Sequence, residues 1–190
     1  SALTLSHAHC YFAHAFKHQP GAKQLLGRFA AGGGRLYDLE YFIDAGGRRV
    51  AAFGYWAGHV GAALGVQAWC ASARGSILPN VTPEFEKATL VRETKQLLAA
   101  TVRQKPKILV TGALGRCGRG ASDLLRELGL DVTGWDLPET ASGGPFRGIL
   151  DFDILVHCAL AQSPAAPFLK RSMFHSEQRL RTVVDVTCDV

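Results

Sequence analysis

The sequence predicts an α/β protein with a parallel sheet between helix layers, and three observations carry that prediction. Short runs such as "KILVTG" (107–112), "DILVHCA" (153–159) and "RTVVDV" (181–186) are apolar without alternation, the pattern of strands buried on both faces. Helix-like stretches separate them, so strand and helix alternate from residue 106 onward. The first run leads into "TGALGRCGRGASDLL" (111–125), a glycine-rich turn that opens a helix. The class is therefore a Rossmann-like, doubly wound sheet, preceded by part of a second α/β domain.

The elements follow in order. "QPGAKQLLGRFAA" (19–31) places Leu25, Leu26 and Phe29 on one helical face, and Gly32 to Gly34 end that helix. "RLYDLEYFI" (35–43) alternates like a strand, with Asp38 and Glu40 on one face. "DAGG" is a hairpin turn and "RRVAAFG" a second strand. Residues 55–70 read as a helix whose small residues Ala57, Gly58, Gly61, Ala62 and Gly65 permit close packing against other backbone. Residues 84–103 read as an amphipathic helix with Leu90, Leu97 and Leu98 inward. After Pro106 come "KILVTG", a helix from Cys117 or Gly118, then "DVTGWD", "DILVHCA", a helix near 171–180 and "RTVVDV". The expected organisation is residues 1–53 as part of an N-terminal substrate domain, 54–105 as linking helices and 106–190 as an incomplete dinucleotide domain. The chain reads as a central piece of a longer protein.

Composition narrows the function classes. With 47% hydrophobic and 19% charged residues the 190-residue chain is globular in character. It has no apolar run long enough to span a bilayer and no secretion signal at its start, so neither a membrane nor a secretory route is expected. The net charge of +5 is dispersed, with no basic stripe, which argues against a nucleic-acid partner and suits anionic ligands. Five cysteines without a CxxC pair disfavour zinc and a disulfide framework. A monomeric, cytoplasmic protein is expected. A peroxisomal address would have to lie in a C-terminal tail.

The glycine turn has a physical rationale. Glycines let backbone N–H groups approach a pyrophosphate, and the following helix points its positive end at it. The spacing is GxxGxxG rather than GxGxxG, but "DVTGWD" ends in Asp136 at the interval expected of a ribose-binding carboxylate. A carboxylate there accepts from both ribose hydroxyls and repels a 2′-phosphate, so the expected cofactor is NAD. Arg116 either covers the pyrophosphate or is a solvated loop arginine. The stretches "ALAQ" (159–162) and "VTCD" (186–189) follow strands at their carboxyl ends, where open α/β sheets bind ligands. Cys117 and Cys158 would lie within disulfide range if their strands are neighbours; reduced thiols are the default reading.

Upstream, "HAHCYFAHAFKH" holds His7, His9, His14 and His18 without the carboxylate or cysteine set that a metal would need, so no metal is expected. His14 closes an apolar lead-in and is a candidate acid–base group; a satisfied core histidine is the plain alternative. Arg48 and Arg49 suit substrate carboxylates, or else form salt bridges with Asp38 and Glu40 across the hairpin.

Together, "YFAHAFKHQPGA", "GRLYDLEYFIDAGGRRVAAFGYWAGHVGAALGV", "TGALGRCGRGA", "GWDLPETASGGPF" and "RLRTVVDV" resemble the NAD-dependent, L-lysine-forming saccharopine dehydrogenases of fungal lysine biosynthesis, over essentially the whole chain. The resemblance implies a fold distantly similar to alanine dehydrogenase, and oxidative deamination of saccharopine to lysine and 2-oxoglutarate. It implies a lysine upstream of these residues and His14 as the proton-transfer pair, with Glu40 modulating them. Gln19, Arg49, Phe53, Thr187, Cys188 and Asp189 match substrate-binding positions. Arg48, Gly115, Arg116, Asp136, Thr140, Leu160 and Val186 match cofactor positions, although Leu160 stands where a related enzyme has Tyr. Cys117 and Cys158 match a cysteine pair that can oxidise. By this resemblance the 190 residues alone are expected to be inactive. Two other readings fit parts of the sequence: an amino-acid dehydrogenase of the alanine dehydrogenase type, and a non-catalytic dinucleotide-binding module.

Overall fold

The structure is a computed structural model that describes residues 3–16, 19–83, 86–101, 104–159 and 166–187. The chain divides into two units, Ser1–Phe53 and Gly54–Val190.

The first unit is a small βαβ arrangement. β1 (Ala8–Tyr11) runs parallel to β2 (Arg35–Asp38), with α1 (Ala22–Gly32) as the crossover. α1 stops where Gly33 takes φ +69°, and its buried Phe29 meets the His9 ring edge-on at 5.1 Å.

Two expectations for this unit are corrected. The strand predicted over 35–43 ends at Asp38, and Leu39–Tyr41 forms a 3-10 turn. The cause is the Asp38 carboxylate, which accepts the N–H of Glu40 and bends the chain there. Asp38 and Glu40 are both buried, but not as alternate residues of one strand. The predicted second strand (48–54) is likewise replaced by a single antiparallel bridge, Ile43 to Arg49, across a turn with Gly47 at φ +75°.

The second unit is a four-stranded parallel sheet of order β4-β3-β5-β6, with β3 (Ile108–Thr111), β4 (Val132–Trp135), β5 (Ile154–His157) and β6 (Thr182–Asp185). One face carries α2 (Gly54–Ala73), α3 (Lys87–Thr101) and α4 (Arg116–Glu127), whose core includes Val66, Leu90, Leu124, Leu125, Ile108 and Val156. On the other face Leu109 and Leu155 of the strands pack with Ile149, Leu150, Met173 and Leu180, flanked by Trp135 and Phe146. Burial on both sides explains why these strands read as unbroken apolar runs. A short α5 (Leu137–Thr140) follows β4.

The helix predicted near 171–180 is also corrected. Only Arg171–Met173 turns, as a 3-10 segment. Beyond it the Gln178 side chain takes the N–H of His175 and donates to the carbonyl of Leu180. Arg179 and Leu180 then donate their backbone N–H groups to the Leu150 carbonyl, which holds the segment against the sheet instead of coiling it.

α2 is apolar all round, and glycine lets it approach other backbone. A Cβ at Gly58 would strike the Cys117 carbonyl oxygen, and one at Gly120 the Tyr55 carbonyl oxygen. α2 and α4 therefore meet backbone to backbone, each through a glycine of its own.

His59, on α2, is 1% exposed, and neither ring nitrogen has a hydrogen-bond partner of good geometry. Burial pushes its pKa below the usual imidazole range and Lys87 adds to this, against smaller pulls from Glu127, Asp123 and the Gly120 backbone. The folded state thus binds fewer protons here than the unfolded chain. The stability it contributes is complete above the unfolded pKa, about 6.5, and is lost as pH falls through that value towards the folded one. His59→Leu should remove this part of the acid sensitivity. Urea unfolding of both proteins at pH 7.5 and pH 5 checks it: equal losses in wild type and variant would refute the assignment.

Candidate functional site

In the first unit the His14 neighbourhood is built on Asp38. Its two carboxylate oxygens accept the N–H groups of Ala13 and Ala15, each at 3.2 Å. They bracket His14, which holds φ +50°, a backbone conformation that side chains rarely adopt and that costs on the order of 1–3 kcal/mol. The strain is held by a buried acid, so the direction of His14 is set from outside the residue.

Glu40 is 9% exposed. Its Oε2 lies 2.5 Å from Arg49 Nη2 and 3.9 Å from His14 Nδ1. Arg49 pairs with this buried carboxylate, the kind of partner that a buried acidic group needs. Phe12 stacks on His14 at 6.2 Å, and Phe53 lies 4.3 Å from Phe12. The structure thus gathers His14, Glu40, Arg49 and Phe53. Gln19 is exposed and lines an adjoining groove with Ala15, Phe16 and Lys23. Arg48 points elsewhere, pairing with Asp44 at 3.3 Å on the surface. Asp38 is the contributor that its position in an apparent strand concealed, because its clamp spans 25 residues.

In the second unit the glycine turn leaves β3 at Gly112, whose φ is +66° and whose Cβ would come within 2.8 Å of the Cys158 carbonyl group. A Cβ at Gly118 would strike the Gly112 carbonyl oxygen. The turn closes on itself: Ala113 donates to the Trp135 carbonyl and Gly115 to that of Gly112. Asp136 faces it, accepting the Leu114 N–H at 2.8 Å. The amides open to a ligand are therefore not those of the whole turn but those at the start of α4, whose N-cap Gly115 offers no side-chain cap. Arg116 stands exposed at that first turn.

Asp136 also caps α5 through the N–H of Leu137, and Glu139 accepts the N–H of Asp136. Thr140 donates its hydroxyl to the Asp136 carbonyl at 2.8 Å. Beside these residues a cleft of about 450 Å³ runs along α4 and β4, lined by Leu114, Arg119, Arg126, Gly134, Asp136 and Glu139. Val186 turns its side chain towards Gly61 of α2, so only its backbone faces away from the helix layer. The Thr187 hydroxyl donates to Asp185 at 2.6 Å. Leu160, Cys188 and Asp189 lie outside the described residues.

Cys117 and Cys158 are free thiols, the default reading, and the possible bridge between them is not formed. Burial, joined by the nearby Cys117 and Asp185, pushes the Cys158 thiol up to about 12, and burial also raises Cys117. Neither is a thiolate at neutral pH, the form that thiol chemistry needs. Among the described residues no group of His, Cys, Asp and Glu is arranged to hold a metal ion, and no helix is long and apolar enough to cross a membrane.

The sheet order, the tight turn at Gly112 and the acid at the end of the neighbouring strand define a Rossmann-like α/β domain. No family model matches the chain. It is similar to fungal saccharopine dehydrogenases of the NAD(+), L-lysine-forming kind. It is 45% identical over 198 residues to that of Yarrowia lipolytica, covering 99% of this chain and 54% of the relative. It is 42% identical over 205 residues to that of Candida albicans (97% and 54%) and 43% over 195 residues to that of Candida glabrata (97% and 52%). The chain spans about half the length of the curated relatives it matches.

Proposed function

We propose that the protein to which these residues belong is an NAD-dependent saccharopine dehydrogenase that releases L-lysine and 2-oxoglutarate. The observation that carries this reading is an identity above 40% across almost the whole chain to relatives of that name. The cluster of half-buried His14 and Arg49 around the buried Glu40 supports it.

The residues present fit NAD: a turn without room for side chains at Gly112 and Gly118, an uncapped helix start at Gly115, and a carboxylate one strand over. Arg116 and the first amides of α4 would hold the pyrophosphate, Gly115 leaving room for its close approach, with Asp136 on the adenosine ribose. NAD held by these residues would supply the acceptor for the hydride leaving the substrate carbon that bears the secondary amine. The chain's own residues carry the protons and the orientation. His14 takes a proton from the amine or passes one to the departing lysine nitrogen after water has added to the imine. Glu40, beside the imidazole, modulates its proton transfers. Arg49, with Gln19 and Phe53, orients the carboxylate-bearing substrate, and its side chain exchanges part of its Glu40 contact for a substrate carboxylate. Thr187, Cys188, Asp189, Arg48, Thr140, Leu160 and Val186 complete the assignment by correspondence with the family.

The defining experiment uses the full-length protein with NAD and a panel of amino acids, following NADH absorbance. Saccharopine should give signal and alanine none; the reverse would replace this reading with an alanine dehydrogenase type. Asp136→Ala removes a charged acceptor of ribose hydroxyls and should weaken NAD by about 10- to 100-fold. Calorimetric titration showing NAD affinity within twofold of wild type would remove Asp136 from that role.

A further inference from the structure

The last residues of the four parallel strands stand side by side. Trp135 and His157 each oppose Thr111 in register, and Asp185 opposes His157. Thr111 is fully buried, and its Oγ1 lies 2.8 Å from His157 Nδ1. The His157 ring meets Phe168 edge-on with centroids 4.7 Å apart. A buried hydroxyl and a half-buried imidazole at the ends of the two central strands are costly unless they satisfy each other, and here they do. Valine would fill the Thr111 position with the same shape and no polar atom, as it does at Val110 and Val156.

The bond engages Nδ1 and orients the ring. Nε2 has no hydrogen bond to a described residue, and His157 is only half-buried. Its place is also informative. β3 has β4 on one side and β5 on the other, so connections diverge at β3, and parallel sheets take ligands at the carboxyl ends of strands at such a switch point. β5 continues directly into Cys158, whose backbone is packed on Gly112 of the turn.

We propose that His157 is a ligand-contacting residue of the dinucleotide crevice, oriented by Thr111 so that its Nε2 hydrogen-bonds an oxygen of the bound dinucleotide. The inference rests on the dinucleotide reading above. With the Thr111 hydroxyl donating to Nδ1, Nε2 carries the proton and donates to a ribose hydroxyl or phosphate oxygen. Burial holds the imidazole below its usual range against the smaller opposite pull of Asp185, and Thr111, Trp135 and Phe168 bring no charge to it, so the ring serves as a neutral donor. Thr111 is a positioning residue that acts through His157.

The test uses the full-length protein and NAD. His157→Phe keeps the ring packing on Phe168 and removes both nitrogens; it should weaken NAD about tenfold and leave saccharopine KM unchanged at saturating NAD. Thr111→Val should weaken NAD severalfold and Thr111→Ser should restore it. In two-bond proton–nitrogen spectra of wild type, the His157 Nε2 resonance should shift on adding NAD and not on adding saccharopine, a readout that needs no variant to fold. Asp136→Ala separates the two levels. If it weakens NAD while His157→Phe binds within twofold of wild type, or if the Nε2 resonance does not move, the role of His157 is overturned and the dinucleotide reading stands. If neither Asp136→Ala nor His157→Phe affects NAD, the dinucleotide reading itself fails. A shift of Nε2 with saccharopine alone would place His157 on the substrate and overturn the proposal.

Discussion

His14→Gln in the full-length protein should lower turnover with saccharopine by about 10²–10⁴-fold, the range that a positioned acid–base group contributes. NAD affinity should stay within twofold. Glutamine keeps a polar side chain of similar reach beside Glu40 but cannot exchange a proton near neutral pH. The φ of +50° is held by the two Asp38 hydrogen bonds to Ala13 and Ala15, which do not involve the imidazole, so the backbone around the substitution should persist. Steady-state rates paired with an NAD titration check the prediction. A kcat within threefold of wild type would remove His14 from the chemistry and leave it a packed histidine beside Phe12.

Gly120→Val should be the most destabilising single change of those considered, at about 3 kcal/mol or more. The space for a Cβ is already taken by the Tyr55 carbonyl oxygen, and the carbonyl carbon behind it is 2.7 Å away. Those are backbone atoms of α2 and cannot rotate aside, so α2 and α4 must separate, opening the core that contains Val66, Ala121 and Leu125. A loss of that size is a large fraction of the roughly 5–15 kcal/mol by which domains are stable. Gly27→Ala provides the contrast. It sits inside α1, where a Cβ meets nothing within 4 Å, and should stabilise by about 0.5–1 kcal/mol. Thermal unfolding of the full-length variants should move in opposite directions; a Gly120→Val midpoint equal to wild type would contradict the backbone contact.

The amino-acid sequence by itself determined the parallel sheet. Ile108–Val110 and Ile154–Val156 are apolar throughout because helices and loops cover both faces, and that pattern is local. It also determined the turn at Gly112, the acid at the end of the next strand, and α2 as a close-packing helix, since each is a matter of residue type at short spacing. What needed the tertiary structure were the features that depend on distant partners. Asp38 builds the bend at His14 because it reaches Ala13 and Ala15, which no alternation pattern can register. The stretch 171–180 fails to coil because Leu150 offers a carbonyl from 29 positions or more away in the chain. Arg49 and Arg48, adjacent in sequence, part company: one pairs with Glu40 and the other with Asp44. His157 is unremarkable in "DILVHCA" until the register sets it beside Thr111. Periodicity reports which face a residue takes, whereas hydrogen bonds between distant segments decide where elements stop and which polar groups meet.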